Sequence, residues 1–378
     1  MTEELFAKHS ILGLQPQIIN SNKSYNIVLI GSSSLSIEII YQLTILSNLP
    51  EQNILNLYLI DYQAKKFYQK LKKLFSGIEK IPHINILTIE LDVQGCKFYS
   101  SEIWRNENLT NIIITTEDEL LNLEIALRLQ GNIFSKTKVW FAKEEVNSYI
   151  FHEDIFPMID KFKKRFTNLH YFSSLEDKEL ECIAKLINYL YRETKYNPHL
   201  LFTKENKNEA QKLWLDETST DNKKISKMQS LHMNTKLLAL GLKKQKSTKT
   251  PKELLKINKE IFEKKLGFRE IDDKESQEYA QKFYDSENHF KSIHFPEKFE
   301  SLFEKLIRSE QNKWNTYQYL NGGTYDKNRD DLLKKHDIYS LVYIPNILAS
   351  VGIELIDSQK FSNIKKILNL LMNADKRI

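Results

Sequence analysis

The chain is poor in the residues that mark disulfide-bonded or metal-bound scaffolds. Its 378 residues include two cysteines, Cys96 and Cys182, which are far apart and in no metal-ligand spacing. We interpret both as small buried apolar residues of a protein in a reducing compartment. No apolar run approaches the ~18–20 residues that span a bilayer, and the first residues lack a signal-peptide layout. The sequence therefore predicts a cytoplasmic protein with no membrane insertion.

An excess of charge of one sign is also missing. The 55 basic and 50 acidic residues leave a net charge of +5, which is too balanced to favour direct binding of nucleic acid. The 41% of hydrophobic residues is enough for real cores, and the length allows about two or three domains.

Three common catalytic motifs are absent from the sequence. It contains no Gly-x-Ser-x-Gly nucleophile elbow, no Gly-x-x-x-x-Gly-Lys phosphate loop and no His-Glu-x-x-His zinc helix. We therefore predict no catalytic residues and no metal ligands, and a protein that is not an enzyme.

What the sequence does have is a regular alternation of apolar runs and helical patterns in its first part. Short continuous apolar runs are typical of strands buried on both faces, and their alternation with helices predicts a parallel, doubly wound sheet. The fold class predicted for residues 1–150 is therefore α/β and Rossmann-like. The runs are at 26–31, 56–61, 84–91, 109–116 and 138–143, with helical patterns at 35–47, 63–75 and 117–131.

After about residue 150 the strand patterns stop and amphipathic helical patterns continue. We predict an all-α remainder, divided into a helical connecting domain over 151–268 and a second helical domain over 269–378. A weak internal repeat suggests this division. Trp214 and Trp314 are each followed by a charged stretch and then by a helix, which ends in residues 236–242 and 346–355 respectively.

The first apolar run leads into the sequence GSSSLS, which has the outline of a dinucleotide-binding turn. In that turn the first glycine makes a tight bend, the second lets the backbone approach a pyrophosphate, and the third lets helix and strand pack closely. Gly31 fills the first position, whereas Ser33 and Ser36 fill the others. Ser36 is small enough for close packing, but Ser33 places a Cβ where the phosphate would approach. The hydroxyls of the turn and the helix N-terminus offer other contacts to a phosphate.

Asp61, at the end of the second run, is the candidate partner for ribose hydroxyls. It comes 30 residues after Gly31, whereas the usual spacing is nearer ~20. The alternative is that Asp61 is only a strand-end residue and that the turn is a scaffold. The ligand predicted for this site is an adenine nucleotide or NAD, held by Gly31, Ser32, Ser33, Ser36 and Asp61.

Residues 306–331 resemble the repeat found in ryanodine receptors and in bacterial RyR-domain proteins. Its acid, its tryptophan, its first glycine and its tyrosine match the chain at Glu310, Trp314, Gly322 and Tyr325. The chain departs from the family pattern at four other positions, and the loss of the second tryptophan removes an aromatic platform. Those departures are Gln311, Lys313, Gly323 and Asp326.

The rest of the chain also resembles bacterial RyR-domain proteins, several of which begin with a TrkA-N-like Rossmann domain of the potassium-transport regulatory type. Residues 108–129 resemble the fourth strand and the following helix of that domain. Residues 212–242 resemble the helical segment that joins the two domains, with matches at Trp214, His232, Lys236 and Gly241. This resemblance implies a ligand-sensing or regulatory role, a nucleotide-like ligand, a homo-oligomer, and a membrane transport or effector protein encoded separately as partner.

A second ligand site is predicted around the glycine turn of the RyR-like segment. Two aromatic rings can sandwich a base, while nearby basic side chains supply charge for a phosphate. The alternative is an aromatic core under a charged, solvated loop. The ligand-binding residues predicted here are Glu310, Lys313, Trp314, Gly322, Tyr325 and Arg329.

The sequence leaves three functions open. The first is a non-enzymatic cytosolic regulator that senses ligands. The second is an NAD(P)-dependent oxidoreductase, which needs a proton donor near the nicotinamide; no Tyr-x-x-x-Lys pair stands directly after the fourth apolar run. The third is a purely structural interaction module in which side chains fill both pockets. The sequence does not separate the first function from the third.

Overall fold

The structure, a computed structural model, describes Phe6 and residues 24–49, 54–134, 136–142, 168–172, 178–193, 201–266, 302–323 and 344–357. The chain divides into two compact units. The first comprises Met1–Asp177 with Asn312–Tyr325, and the second comprises Lys178–Gln311 with Asp326–Ile378. The domain borders predicted after residues 150 and 268 stay predictions.

The first unit contains a six-stranded parallel sheet with the strand order β3-β2-β1-β4-β5-β6. This arrangement confirms the α/β, Rossmann-like fold predicted for the first part of the chain. The strand order reverses between β1 and β4. The strands are β1 (Tyr25–Ile30), β2 (Leu55–Asp61), β3 (Ile84–Glu90), β4 (Leu109–Ile114), β5 (Lys138–Ala142) and β6 (Leu169–Phe172).

Helices lie between these strands, and the central strands are the most deeply buried. Every residue of β1 is buried, which is why its sequence is a continuous apolar run rather than an alternating one. The helices of this unit are α1 (Ser34–Leu46), α2 (Ala64–Leu74), α3 (Cys96–Tyr99) and α4 (Glu119–Leu129).

The connection from β3 to β4 is made of two short helical turns, α3 and the 3-10 turn Glu102–Arg105. Its core is an aromatic pair, because the rings of Phe98 and Trp104 meet edge to face at 5.1 Å. The Trp104 indole Nε1 also donates to the carbonyl of Phe98 at 2.6 Å. These rings pack against the sheet in one apolar cluster with Ile60 and Ile89.

The described part of the second unit is mostly helical. Its helices are α5 (Lys178–Glu193), α6 (Lys204–Asp216), α7 (Thr220–Ala239), α8 (Pro251–Leu266) and α10 (Ile344–Ser350). Helix α9 (Leu302–Leu320) supplies its first part, up to residue 311, to this unit and the remainder to the first unit. None of the described helices is both long and apolar enough to cross a membrane.

The expectation that strands stop after about residue 150 is wrong. Strand β6 lies beyond that point and pairs with β5 in the large sheet. In the second unit, β7 (Leu242–Lys246) and β8 (Ile353–Asp357) pair antiparallel. The all-α prediction for the second half is therefore met only in part.

The weak internal repeat of the sequence corresponds to a repeated structural unit of helix, glycine and strand. Helix α7 ends before Gly241 and α10 ends before Gly352, and both glycines have a positive φ, +68° and +76°. Each glycine N–H closes the preceding helix by donating to a carbonyl three residues back. The strands that follow these glycines are β7 and β8, so the two copies of the repeat pair with each other in one antiparallel ribbon.

Candidate functional site

The predicted nucleotide turn lies at the carboxyl edge of the sheet, where the strand order reverses. Gly31 follows β1, Asp61 ends the neighbouring β2, and Thr115 and Thr116 follow β4 on the other side. In doubly wound sheets this crevice is the usual place for a ligand.

The conformation of Gly31 explains why a glycine stands there. Its φ is +104°, which disfavours any residue with a Cβ. A Cβ at this position would lie 2.8 Å from the backbone nitrogen of Thr116 and 2.9 Å from the carbonyl oxygen of Thr115. The glycine is therefore required by the close approach of the β4 end, whether or not a ligand binds.

Ser33 and Ser36 form a reciprocal cap on the first turn of α1. The Ser33 N–H donates to Ser36 Oγ at 3.1 Å, and the Ser36 N–H donates to Ser33 Oγ at 3.2 Å. This capping box satisfies two of the backbone donors at the helix start. The N–H groups of Ser34 and Leu35, the first two residues of the helix, have no intrahelical acceptor and stay suited to an anion.

Ser36 occupies the third glycine position and joins the helix to the sheet. Its Oγ donates to the carbonyl of Gly31 at 3.0 Å and lies 2.8 Å from Thr115 Oγ1. Thr115 Oγ1 in turn donates to the carbonyl of Ile30 at 3.1 Å. Ser36 is fully buried. Neutral hydroxyls thus fill the interior of the turn.

Asp61 lies at the same edge, on the strand next to Gly31. Its Oδ1 accepts the N–H of Gln63 at 2.8 Å, which fixes the turn after β2. The next residue, Tyr62, is 73% exposed and was not among the predicted site residues. The sequence shows an aromatic residue directly after the strand-end acid, but it does not show that the ring is exposed. Ser32 is half-buried between Gly31 and the cap.

The ends of β4 and β5 are tied together by Asn122, which sequence reasoning also missed. Asn122 Oδ1 accepts the N–H of Thr116 at 2.9 Å, and its Nδ2 donates to the carbonyl of Ala142 at 3.2 Å. The residue is 2% exposed. An asparagine within a helical pattern carries no sequence signal for this role, because Ala142, the partner on β5, is 20 residues away in the chain.

The residues predicted for the second site belong to both units, because Glu310 lies in the second unit and Lys313, Trp314 and Gly322 lie in the first. Glu310 is 1% exposed, and its Oε2 lies 2.9 Å from His232 Nδ1 and 2.6 Å from Lys236 Nζ. We call these three residues the buried ionic cluster. The cluster joins α7 to α9 within the second unit.

The other residues of this prediction lie near the end of α9. Lys313 is 1% exposed. Trp314 is half-buried, and its ring stacks on Tyr317 with centroids 5.6 Å apart. Tyr325 and Arg329 lie outside the described residues.

Gly322 ends α9 in a Schellman motif. Its φ is +79°, its N–H donates to the carbonyl of Tyr319, and the Gly323 N–H donates to the carbonyl of Gln318 at 2.7 Å. A Cβ on Gly323 would lie 2.9 Å from the Gln318 oxygen, so the tryptophan of the family pattern does not fit this turn. Gly322 therefore has a structural role that needs no ligand.

No group of three or more His, Cys, Asp or Glu side chains suited to a metal ion occurs among the described residues. No family model, no curated protein and no solved structure matches the chain significantly. The resemblance to RyR-domain and TrkA-N-like proteins therefore stays a prediction that depends on the motifs quoted above.

Proposed function

We propose that the chain is a non-enzymatic regulatory protein of the cytoplasm that senses a nucleotide. Its α/β unit binds an adenine nucleotide or NAD at the carboxyl edge of the sheet, and the RyR-like segment binds a second nucleotide-like ligand or a partner. The observation that carries this proposal is the strand order, which brings Gly31 and Asp61 to adjacent strand ends beside a helix N-terminus.

Each part of a nucleotide has a suitable contact at this edge. A phosphate accepts hydrogen bonds from the N–H groups of Ser34 and Leu35 and interacts favourably with the dipole of α1. Asp61 accepts from ribose hydroxyls. The exposed ring of Tyr62 offers a face on which an adenine stacks.

The buried ionic cluster supports the regulatory part of the proposal. His232 and Lys236 fall on the pattern of the connecting segment, and Glu310 falls on the pattern of the RyR-like repeat. The positions come from two separate stretches of sequence, and His232 and Lys236 each lie within hydrogen-bond distance of Glu310. That convergence favours treating the two stretches as parts of one architecture with a function in common.

A second candidate function is a structural interaction module, and the capping box is the observation that favours it. The hydroxyls of Ser33 and Ser36 bond to each other's backbone and fill the space where the second glycine of a cofactor turn would admit a phosphate. No comparable observation favours the oxidoreductase alternative.

The experiment that tests the proposal is mass spectrometry of small molecules released from freshly purified, denatured protein, followed by thermal shift with each candidate. A nucleotide that binds only the folded state raises the unfolding temperature with its concentration. The variants of choice are Asp61→Ala and Tyr62→Ala, because both side chains lie at the surface. Leu74→Ala, at an exposed position on α2, is the matched control.

We expect an adenine nucleotide or NAD to stabilise the native chain and the control. Each site variant should lose at least about tenfold in affinity, which corresponds to about 1.4 kcal/mol. A protein that carries no nucleotide and is stabilised by none would overturn the proposal and favour the interaction module.

A further inference from the structure

Strand β3 forms an edge of the large sheet and has few of the features that usually protect such an edge. It runs over seven residues, and its pairing with β2 shows no register shift. It contains no proline and no lysine, and its charged residue, Glu90, stands at its end. Among the described residues it pairs with β2 alone. Soluble proteins commonly block a strand of this kind with lysine, proline or a bulge.

The hydrogen bonds of the β2–β3 ladder show which backbone groups point outward. The Leu55 N–H donates to the carbonyl of His83, and the Leu91 N–H donates to the carbonyl of Asp61. The backbone N–H and C=O groups of the odd-numbered residues in this stretch therefore point toward β2. Because the direction alternates along a strand, the N–H and C=O groups on the outer edge belong to Ile84, Ile86, Thr88 and Glu90.

One face of β3 is open near the amino end of the strand. Ile89 packs in the apolar cluster with Phe98 and Trp104, whereas Leu87 on the same face is 43% exposed. The β3–β4 connection consists of short helical turns, and its aromatic rings cover the carboxyl end of the strand. Ile54, which precedes β2, is 41% exposed.

The side chains that the described strands β1, β2 and β3 place on this face beside Leu87 are uncharged, and they include a ladder of asparagines across the three strands. Asn56 Nδ2 donates to Asn26 Oδ1 at 2.9 Å, and Asn85 Nδ2 donates to Asn56 Oδ1 at 3.0 Å. Asn26 is buried and Asn85 is exposed, so the ladder runs from the interior to the edge. With Ile54, Tyr58 and Leu87 it forms a neutral surface on a chain in which 28% of the residues are charged.

We propose that this edge binds a second copy of the chain, with β3 pairing antiparallel to β3 of the copy about a two-fold axis at Leu87. A two-fold axis brings residues near their own copies, so an uncharged surface suits a second copy better than a charged one. This register pairs Ile84 with Glu90 and Ile86 with Thr88, so it uses the outward-facing groups of both strands. The Glu90 carboxylates then lie at opposite ends of the ribbon.

The same register brings the exposed leucines together. Leu87 and its copy form a pair without mutual hydrogen bonds, whose Cα atoms in antiparallel sheets lie about 4.5 Å apart. Both side chains are then removed from water. Pairing through β3 does not require a bound nucleotide.

Helix α2, which packs on β2 and β3, gives the association a characteristic salt dependence. In the dimer the α2 helices of the two copies face each other across the axis, and their positive charges repel. Raising the ionic strength from about 0.1 to 1 M shortens the screening length from about 10 to 3 Å, so it should tighten the dimer. The lysines of α2 are Lys65, Lys66, Lys70, Lys72 and Lys73. Lys65 is paired with Glu90 at 2.8 Å and Lys72 with Glu79 at 3.3 Å, so the repulsion comes mainly from Lys66, Lys70 and Lys73.

The first test is the mass of the chain in solution, measured by sedimentation over a wide concentration range. We expect a dimer for the native chain and for Leu120→Lys, whose leucine is 52% exposed on α4, a helix that packs on β4 and β5. Leu87→Lys should raise the dissociation constant at least about tenfold. A native chain that is monomeric throughout, a Leu87→Lys dimer as tight as the native one, or a dimer weakened by salt would each overturn the proposal.

Disulfide trapping tests the register independently of that variant. In a Cys96→Ser, Cys182→Ser background, Leu87→Cys should crosslink on mild oxidation, because the spacing expected on the axis suits a disulfide, about 4.4–6.8 Å between Cα atoms. Leu120→Cys, at an exposed position on α4, should stay uncrosslinked in the same background. Equal crosslinking of both variants, or none at residue 87, would exclude this arrangement.

Discussion

The carboxyl edge of the first unit and the buried ionic cluster of the second unit satisfy their polar groups in opposite ways. At the edge, neutral hydroxyls of Ser33, Ser36 and Thr115 bond to backbone groups and to one another. In the cluster, the charges of Glu310 and Lys236 compensate each other away from water, beside His232. At the carboxyl edge, N–H groups at the start of α1 can still bind an anion. In the cluster, His232 and Lys236 both bind Glu310.

The largest effect on stability is expected when the carboxylate is removed from the buried ionic cluster. Glu310→Gln leaves the Lys236 charge buried beside a neutral amide, so the second unit should lose about 3–5 kcal/mol of unfolding free energy. Denaturant unfolding measures this loss. Glu181→Gln is the control, since its ion pair with Lys185 is partly exposed and should be worth only about 0–1 kcal/mol. Similar losses in both variants would mean that the cluster contributes little.

Gly31→Ala tests the backbone requirement of the carboxyl edge. The positive φ and the contact with the Thr115–Thr116 backbone should together cost about 1–3 kcal/mol of unfolding free energy in the first unit. The measurement is again denaturant unfolding. Gly131→Ala is the matched control, because a Cβ there meets nothing within 4 Å, and its effect should stay within about 0.5 kcal/mol. If Gly31→Ala left the free energy of unfolding unchanged, the backbone of the turn would have to shift enough to accommodate a Cβ.

Ser33→Gly separates the capping role of this serine from its effect on a ligand. Glycine at an N-cap costs only a few tenths of a kcal/mol, and it removes the Cβ from the path of a phosphate, so nucleotide affinity measured by calorimetry should rise. Ser219→Gly replaces a similar cap on α7, where the hydroxyl accepts from the Asn222 N–H. That control should lose the same stability without a change in binding. Weaker nucleotide binding by Ser33→Gly would mean that the Ser33 hydroxyl donates a hydrogen bond to the phosphate.

The smallest expected effect on the free energy of unfolding concerns His83, which directly precedes β3 at the amino-terminal end of the strands. Burial lowers the pKa of His83, with a smaller opposing contribution from the hydrogen bond to the Thr44 carbonyl. Its contribution to stability is therefore complete above its unfolded-state pKa of about 6.5 and is lost as the pH falls through the lowered folded-state value. His83→Gln keeps a donor for Thr44 and should flatten the fall in unfolding free energy below about pH 6.5. An unchanged pH profile would contradict this account.

The strands of the large sheet could be predicted where burial leaves a mark in the sequence. The run at 26–31 anticipates β1 (Tyr25–Ile30), and the run at 56–61 anticipates β2, because strands covered on both faces need continuous apolar residues. Strand β6 was missed because it is only four residues long. Strand β7, with the sequence LKKQK, has no apolar pattern, and its pairing with β8 makes it a strand.

The candidate sites were predictable only in outline. Gly31 was found because a glycine after a buried strand is a local signal, and Asp61 because it ends the next strand. The role of Ser36 and the tie made by Asn122 depend on partners far along the chain. Lys313 was expected to attract phosphate, yet the fold buries it. A sequence pattern states that a lysine is present on a helix but not which side of the helix is covered.

The α/β class of the first half, the position of the tight turn and the helical character of most of the described residues after 177 could be predicted from the sequence alone. Those features follow from local properties, namely apolar periodicity, capping residues and the conformational freedom of glycine. Three features became visible only in the three-dimensional structure: hydroxyls fill the turn, His232 and Lys236 contact Glu310, and Leu87 is exposed on an edge strand. These depend on which distant residues come into contact, and that is settled by packing across the whole unit.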